Sequence, residues 1–528
     1  MRTTTRRAVL GAGLAMAGSG VLAACSDSPG KSGGTAAPAG YVSPDGKEVA
    51  AAEAARAGSG AVRTVRLTAT AARLDLGGGT TVASWAYGDA LPGEEIRVTA
   101  GDTLALTLAN HLPEPTSVHW HGLALRNDMD GAPGLTQRAI RPGASFDYRF
   151  KVAHPGTYWL HPHSGTQQDR GLYAPLIVED PKEPLAYDKE WVVVLDDWVD
   201  GVDGSTPDAV LAELAKGMAG MDHGGMNHGG MKHGGMDHGG MDHGGGASPA
   251  PGGPSRMLMG ATSDVLGGDA GDVAYPHYLV NGRTPRAPQT FTARPGDRIR
   301  IRLINAGGDT AFRVALGGHR MTVTHTDGFP VEHVETDSLL LGMGERYDVL
   351  VEAGDGVFPL TALAEGKKRT ALALLRTGGG AAPAEDVRPR ELESAPLTAG
   401  RLKAHGSVRL TDRRPDRTVT LRLTGSMAKY DWAIDGRTYA PDQRYPVRAG
   451  ERVRLVFVND TAMWHPMHLH GHTFALPGGG PRKDTAVIRP GERLSADFDA
   501  DNPGLWMIHC HNVYHAESGM MTVLGYRD

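Results

Sequence analysis

One unit recurs three times along this chain, and it fixes the class of fold. A glycine turn leads into an alternating strand that ends at asparagine. It occurs as Gly101-Asp102 before Thr103-Leu104-Ala105-Leu106-Thr107-Leu108, as Gly296-Asp297 before Arg298-Ile299-Arg300-Ile301-Arg302-Leu303-Ile304-Asn305, and as Gly450-Glu451 before Arg452-Val453-Arg454-Leu455-Val456-Phe457-Val458-Asn459. Alternation with period two is the mark of a strand with one buried face. Copies 150–200 residues apart mean three homologous β domains, expected at 61–183, 187–378 and 396–528, with 379–395 of linker composition. Glycine and proline, at 73 and 34 of 528 residues, fit many short strands joined by turns and exclude a helical bundle.

The first residues read as an address. Arg6-Arg7 precede a weakly apolar run broken by Gly11, Gly13, Gly18 and Gly20, which is the pattern of a twin-arginine export signal over 1–24. Leu22-Ala23-Ala24-Cys25 resembles a lipobox, so Cys25 is expected to carry lipid and to anchor the protein on the outer face of the cytoplasmic membrane or in the periplasm. Residues 25–60 read as a flexible tether. With only Cys25 and Cys510, no disulfide framework is possible. A net charge of −6 argues against nucleic acid as a partner.

Histidine is the unusual residue, at 23 copies. Four His-x-His pairs, His119/His121, His161/His163, His468/His470 and His509/His511, fall in the first and third domains and none in the second. On a strand, residues i and i+2 share a face, so each pair presents two imidazoles together. Eight imidazoles from two domains point to one interdomain metal cluster. Cys510 lies between His509 and His511 and faces the other way. There it meets His465, His515 and Met520: two imidazoles, a thiolate and a weak axial thioether, the ligand set of a blue-copper electron-transfer site.

Residues 217–246 hold five Met-x-His units, Met221/His223, Met226/His228, Met231/His233, Met236/His238 and Met241/His243, each followed by Gly-Gly. Too glycine-rich to bury a core, the stretch reads as a mobile loop. Thioethers suit Cu(I), and imidazole suits both copper states, so the loop reads as a gatherer of Cu(I). Met463 and Met467 flank His465 and fit either a Cu(I) dock or the core.

At His119-Trp-His-Gly, His161-Pro-His, His465-Pro-Met-His-Leu-His-Gly and His509-Cys-His-x3-His515-x4-Met520 the sequence resembles the multicopper oxidases, specifically the three-domain bacterial ones, over residues 61–528. The resemblance implies an all-β fold of three cupredoxin-like Greek-key β-sandwich or barrel domains, and four copper ions. It implies a type 1 copper on His465, Cys510, His515 and Met520, and a type 2 copper on His119 and His468. It further implies a type 3 pair, one ion on His121, His161 and His511 and the other on His163, His470 and His509. The implied reaction couples four one-electron oxidations to reduction of O2 to water. Asp130 matches the family's acid near the type 2 copper and is expected to relay protons. Many bacterial relatives carry Glu directly after the second type 1 histidine. Here Ala516 stands there, which leaves Glu517 as the candidate donor.

Three functions follow: oxidation of Cu(I) for copper tolerance, which the Met/His loop favours; laccase-like oxidation of phenols and aromatic amines; and copper storage without catalysis. The full ligand set speaks against storage.

Overall fold

The computed structural model describes residues 40–217, 253–440 and 442–527. The export signal with Arg6 and Arg7, and the lipobox Cys25, lie outside them. The repeated unit appears three times as the same element. Gly101, Gly296 and Gly450 sit at φ of +96°, +83° and +82°, a region that L side chains avoid. Each leads into an eight-residue strand, Thr103–Asn110, Arg298–Asn305 and Arg452–Asn459. Each of these strands pairs in parallel with the first strand of its domain and antiparallel with a later one. The closing asparagines do one job. Asn110, Asn305 and Asn459 are buried, and each donates through Nδ2 to two backbone carbonyls and accepts a backbone N–H at Oδ1. Each domain thus corners its second sheet in the same way.

The second sheets carry the difference between domains. In the first domain the order by residue is 96–99, 174–179, 156–161, 119–121, and in the third it is 444–447, 521–526, 505–510, 465–469, 485–488. The second domain has a counterpart strand, Phe312–Leu316, with no histidine in it.

One expectation from sequence is corrected. The C-terminal part of the expected tether is ordered. The Val42 N–H donates to Tyr526 O at 2.9 Å, helix Lys47–Ala55 buries Val49, and Arg56 donates to Ala124 O, Leu125 O and Asn502 Oδ1. An alanine-rich helix with one docking valine and an arginine that reaches two domains has more to bind to than its composition shows. Arg300 and Arg302 of strand Arg298–Asn305 are also buried, whereas Arg298 is exposed. Arg300 pairs with Asp348 and Glu183, and Arg302 with Asp348 and Glu190. The outer face of this strand is covered by the first domain, whose Thr157 donates to Asp348 at 2.6 Å. Among the described residues no helix is long and apolar enough to cross a membrane.

Candidate metal centre

Strand pairing brings the histidines together. His119 lies opposite His161 in the first domain, and His468 opposite His509 in the third. Alternation then sends His465 and Met467 to the far face, where Met467 is opposite Cys510. The chain therefore builds two sites on opposite faces of the strand Leu505–Cys510.

On one face, imidazoles from both domains interleave. His119 stacks on His470 with ring centroids 3.7 Å apart, and His121 on His468 at 3.8 Å. Ligand-capable nitrogens gather within 4.8 Å of one another in the sets His119/His121/His468, His119/His161/His163, His121/His161/His511 and His163/His470/His509. Nε2 of His119, His161, His163 and His468 and Nδ1 of His511 are buried with no hydrogen-bond partner. Converging bare nitrogens of this kind are costly unless a cation takes them. Burial first, and neighbouring imidazoles next, hold His121, His161, His163, His470, His509 and His511 well below the usual imidazole range. These rings are neutral, with no proton for a metal to displace. The donor set fits a cluster of copper ions.

On the other face, His465 Nδ1 and His515 Nδ1 are 3.0 Å apart, and both lie near Cys510 Sγ, at 3.7 and 3.6 Å. Each ring is oriented through its other nitrogen. His465 Nε2 meets Thr461 Oγ1 at 2.9 Å, and His515 Nε2 meets Asp272 Oδ2 at 3.0 Å. Such outer partners fix which nitrogen faces a metal. Met520 is buried, and its carbonyl accepts from Cys510 N. Two imidazoles, a thiolate and a buried thioether fit a type 1 copper. Met463 and Met467 are buried in the core.

Two carboxylates brace the histidine cluster. Asp130 takes His119 Nδ1 on its carbonyl and His470 Nδ1 on Oδ2, both at 2.9 Å. Gly131 holds this turn in place, since a Cβ there would lie 1.7 Å from Val118 O. Asp484 repeats the arrangement on the other stacked pair, with His468 Nδ1 on its carbonyl and His121 Nε2 on Oδ1, both at 3.0 Å. Sequence reasoning missed Asp484. Its one signal is Lys483-Asp484, a charged pair leading into the apolar strand Thr485–Ile488. Reasoning also missed Asp272, which the second domain contributes to the Cys510 site.

Glu517 is in none of the ligand sets named above. Glu517 is exposed on helix Val513–Ser518, beside Asp208 of helix Pro207–Leu214. On a helix a one-residue step turns the side chain by about 100°, so Glu517 cannot replace an acid expected at position 516. The ten residues expected to gather Cu(I) fall between 217 and 253 and lie outside the described residues. They are the thioethers Met221, Met226, Met231, Met236 and Met241 and the imidazoles His223, His228, His233, His238 and His243. The ligand sets above are drawn from the described residues alone and contain none of these ten. His472 donates through Nδ1 to His470 O and accepts Tyr526 OH at 2.7 Å, which supports the cluster from behind.

Comparison with known proteins agrees with this geometry. Residues 68–183, 189–380 and 412–528 each match a sequence family described as multicopper oxidase. The chain is 47% identical to multicopper oxidase MmcO of Mycobacterium tuberculosis, over 99% of this chain and 97% of that one. It is 31% identical to a copper resistance protein A homolog of Pseudomonas syringae pv. tomato, over 81% and 87%. Among solved structures, a multi-copper oxidase from Pseudomonas thermotolerans aligns over 89% of this chain and 100% of its own, at 27% identity and a TM-score of 0.65.

Proposed function

The chain belongs to the multicopper oxidase family and is a copper-dependent oxidase; from that premise we propose that its substrate is Cu(I), oxidised to Cu(II) while O2 is reduced to water. The balance is four Cu(I), one O2 and four protons giving four Cu(II) and two waters. Its cofactor is four copper ions, one type 1, one type 2 and a type 3 pair. We assign the type 1 ion to His465, Cys510, His515 and Met520, the type 2 ion to His119 and His468, and the type 3 pair to His121/His161/His511 and His163/His470/His509. Bound there, copper supplies one-electron acceptance at Cys510 and O2 reduction at the histidine cluster. The chain supplies the path between them, since Cys510 is covalently continuous with His509 and His511, and supplies protons through Asp130, which touches two of the cluster imidazoles.

One observation carries the choice of Cu(I): where the Met/His segment leaves the fold. Gly217, the last described residue before it, abuts Ala428 so closely that a Cβ would be 2.3 Å from the Ala428 carbonyl oxygen. Two and four residues on, the rings of Tyr430 and Trp432 lie 6.3 and 4.5 Å from His515. The described chain thus stops, just before the Met/His residues, against a loop that also walls the Cys510 site, and a gatherer of Cu(I) attached there would raise its local concentration. Similarity to a copper resistance protein A homolog supports the same reading. Export by the twin-arginine route and a lipid on Cys25 belong to it as well, since copper is met outside the cytoplasm. A Cys25→Ala chain should leave the membrane fraction for the soluble one; retention would point to another anchor.

The test is steady-state kinetics on the full chain and on one lacking residues 220–246. The apparent KM for Cu(I) should rise about tenfold or more, with phenol oxidation nearly unchanged. Equal losses for both would make the segment structural, and unchanged Cu(I) kinetics would favour the laccase reading.

A further inference from the structure

Eight histidines stand outside the copper constellation and the Met/His segment, and four of them, His154, His325, His333 and His405, line a single cleft of about 260 Å³. The cleft lies where the first domain, the second domain and the segment leading to the third meet. Backbone pairing sets two of these residues in one row. His325 lies opposite Pro330 across its strand pair, and the His405 N–H donates to Pro330 O at 3.1 Å. His325 and His405 therefore flank Pro330 from either side, two strand spacings or about 10 Å apart at the backbone. Two imidazoles reaching across a proline can span that distance through a shared ion.

Their hydrogen bonds favour the same use. The Thr324 hydroxyl donates to Asp348 O, so its remaining contact, with His325 Nδ1 at 3.0 Å, is one in which the ring donates. That leaves the proton on Nδ1 and a bare lone pair on His325 Nε2. Burial, opposed by Asp348 and reinforced by Arg300, brings this ring down to about 4, so it is neutral under ordinary conditions. His405 Nδ1 lies 2.8 Å from Ser407 Oγ and also accepts the Ser407 N–H at 3.3 Å, so a cation on its Nε2 would move the ring proton to Nδ1, where Ser407 Oγ can accept it. A hydroxyl on one ring nitrogen and an open second nitrogen, as at His325, is the pattern of a metal-binding histidine. The positive charges on the floor, Arg300 and Arg302, are already neutralised by Asp348, Glu183 and Glu190. Asp180 adds a carboxylate to the wall.

We propose that this cleft binds one divalent borderline cation, Cu(II) foremost, through Nε2 of His325 and His405, with His154 or His333 as a third ligand. Nitrogen donors favour Cu(II) over the other divalent first-row ions. The site is separate from the four coppers and does not depend on Cu(I) being the substrate. Were Cu(I) oxidised here, the cleft would hold the product.

The test uses the full chain loaded with its four coppers, and Cu(II) added by equilibrium dialysis. His325→Ala/His405→Ala should bind one equivalent less than the unaltered protein, and should lose a Cu(II) resonance signal split by imidazole nitrogen. The Met/His segment is present in both chains, so its uptake cancels. The blue absorption and phenol oxidation should be unchanged. The single variants His405→Gln and His154→Ala change exposed residues and so should fold normally. His405→Gln should weaken binding of that equivalent about tenfold or more. Equal uptake and identical spectra for the unaltered protein, the double variant and His405→Gln would overturn the proposal.

Discussion

Asp130 and Asp484 occupy matching places about the histidine cluster, and the comparison shows how one motif serves two ends. Each braces a stacked imidazole pair, with one ring on its carbonyl and the other on its carboxylate. They differ in what stands behind them. Asp484 is gripped by Arg346 through two bonds of 2.7 Å, and Arg346 is itself fully buried. Burial would raise the Asp484 carboxyl, but Arg346 and the two imidazoles hold it well below the usual range. Asp130 has no arginine or lysine on either carboxylate oxygen among the described contacts, and its Oδ1 has no hydrogen-bond partner. A carboxylate locked by a guanidinium is a fixed charge. Asp130 carries no such lock, which fits the relay role proposed for it. The second domain, whose described residues supply no histidine to either site, supplies the lock.

The largest separation should come from Asp130→Asn. An amide keeps the shape and can still accept from His470, but cannot relay a proton, so kcat should fall by about 10²–10⁴. Copper content and melting temperature should change little. If copper is lost in proportion to activity, Asp130 is structural and the contrast fails. Asp484→Asn should act mainly on stability, leaving buried Arg346 with Asp327 at 3.5 Å as its remaining carboxylate, at a cost of up to about 3–5 kcal/mol. Thermal unfolding of the metal-free protein reads this directly, and activity per bound copper should survive better than in Asp130→Asn. Arg346→Lys keeps the charge but loses the paired geometry, and should cost about 1.5–3 kcal/mol by the same measurement. The smallest effect is in pH. The folded carboxyl of Asp484 is depressed, so its contribution is in full force above the unfolded value of about 3.9 and is lost as pH falls through the folded value. The stability gap between the unaltered protein and Asp484→Asn should therefore be constant near neutrality and shrink only below about pH 4.

What could be read in the sequence was whatever depends on local period. The three glycine-led strands, the sharing of a face within each His-x-His pair and the opposite facing of Cys510 all follow from alternation. What could not be read depends on which surfaces meet. Asp484 and Asp272 are single acids whose partners lie in other domains, His121 and His515 respectively. Arg300 and Arg302 sit on a face that would be exposed if the first domain did not cover it. Residues 41–56 have the composition of a linker, and are ordered by what Val42, Val49 and Arg56 touch. Glu517 follows Ala516 in the chain, but the helix turns it to solvent.

The central claim is that one strand joins an electron-accepting site at Cys510 to an O2-reducing cluster of histidines. Cys510→Ser in the copper-loaded protein tests it most directly, by copper analysis, visible absorption and O2 uptake on the same sample. The three cluster coppers should remain, the intense blue band should disappear and O2 uptake should fall to background with both Cu(I) and a phenol. A Cys510→Ser protein that kept its cluster coppers and still reduced O2 at the normal rate would contradict it.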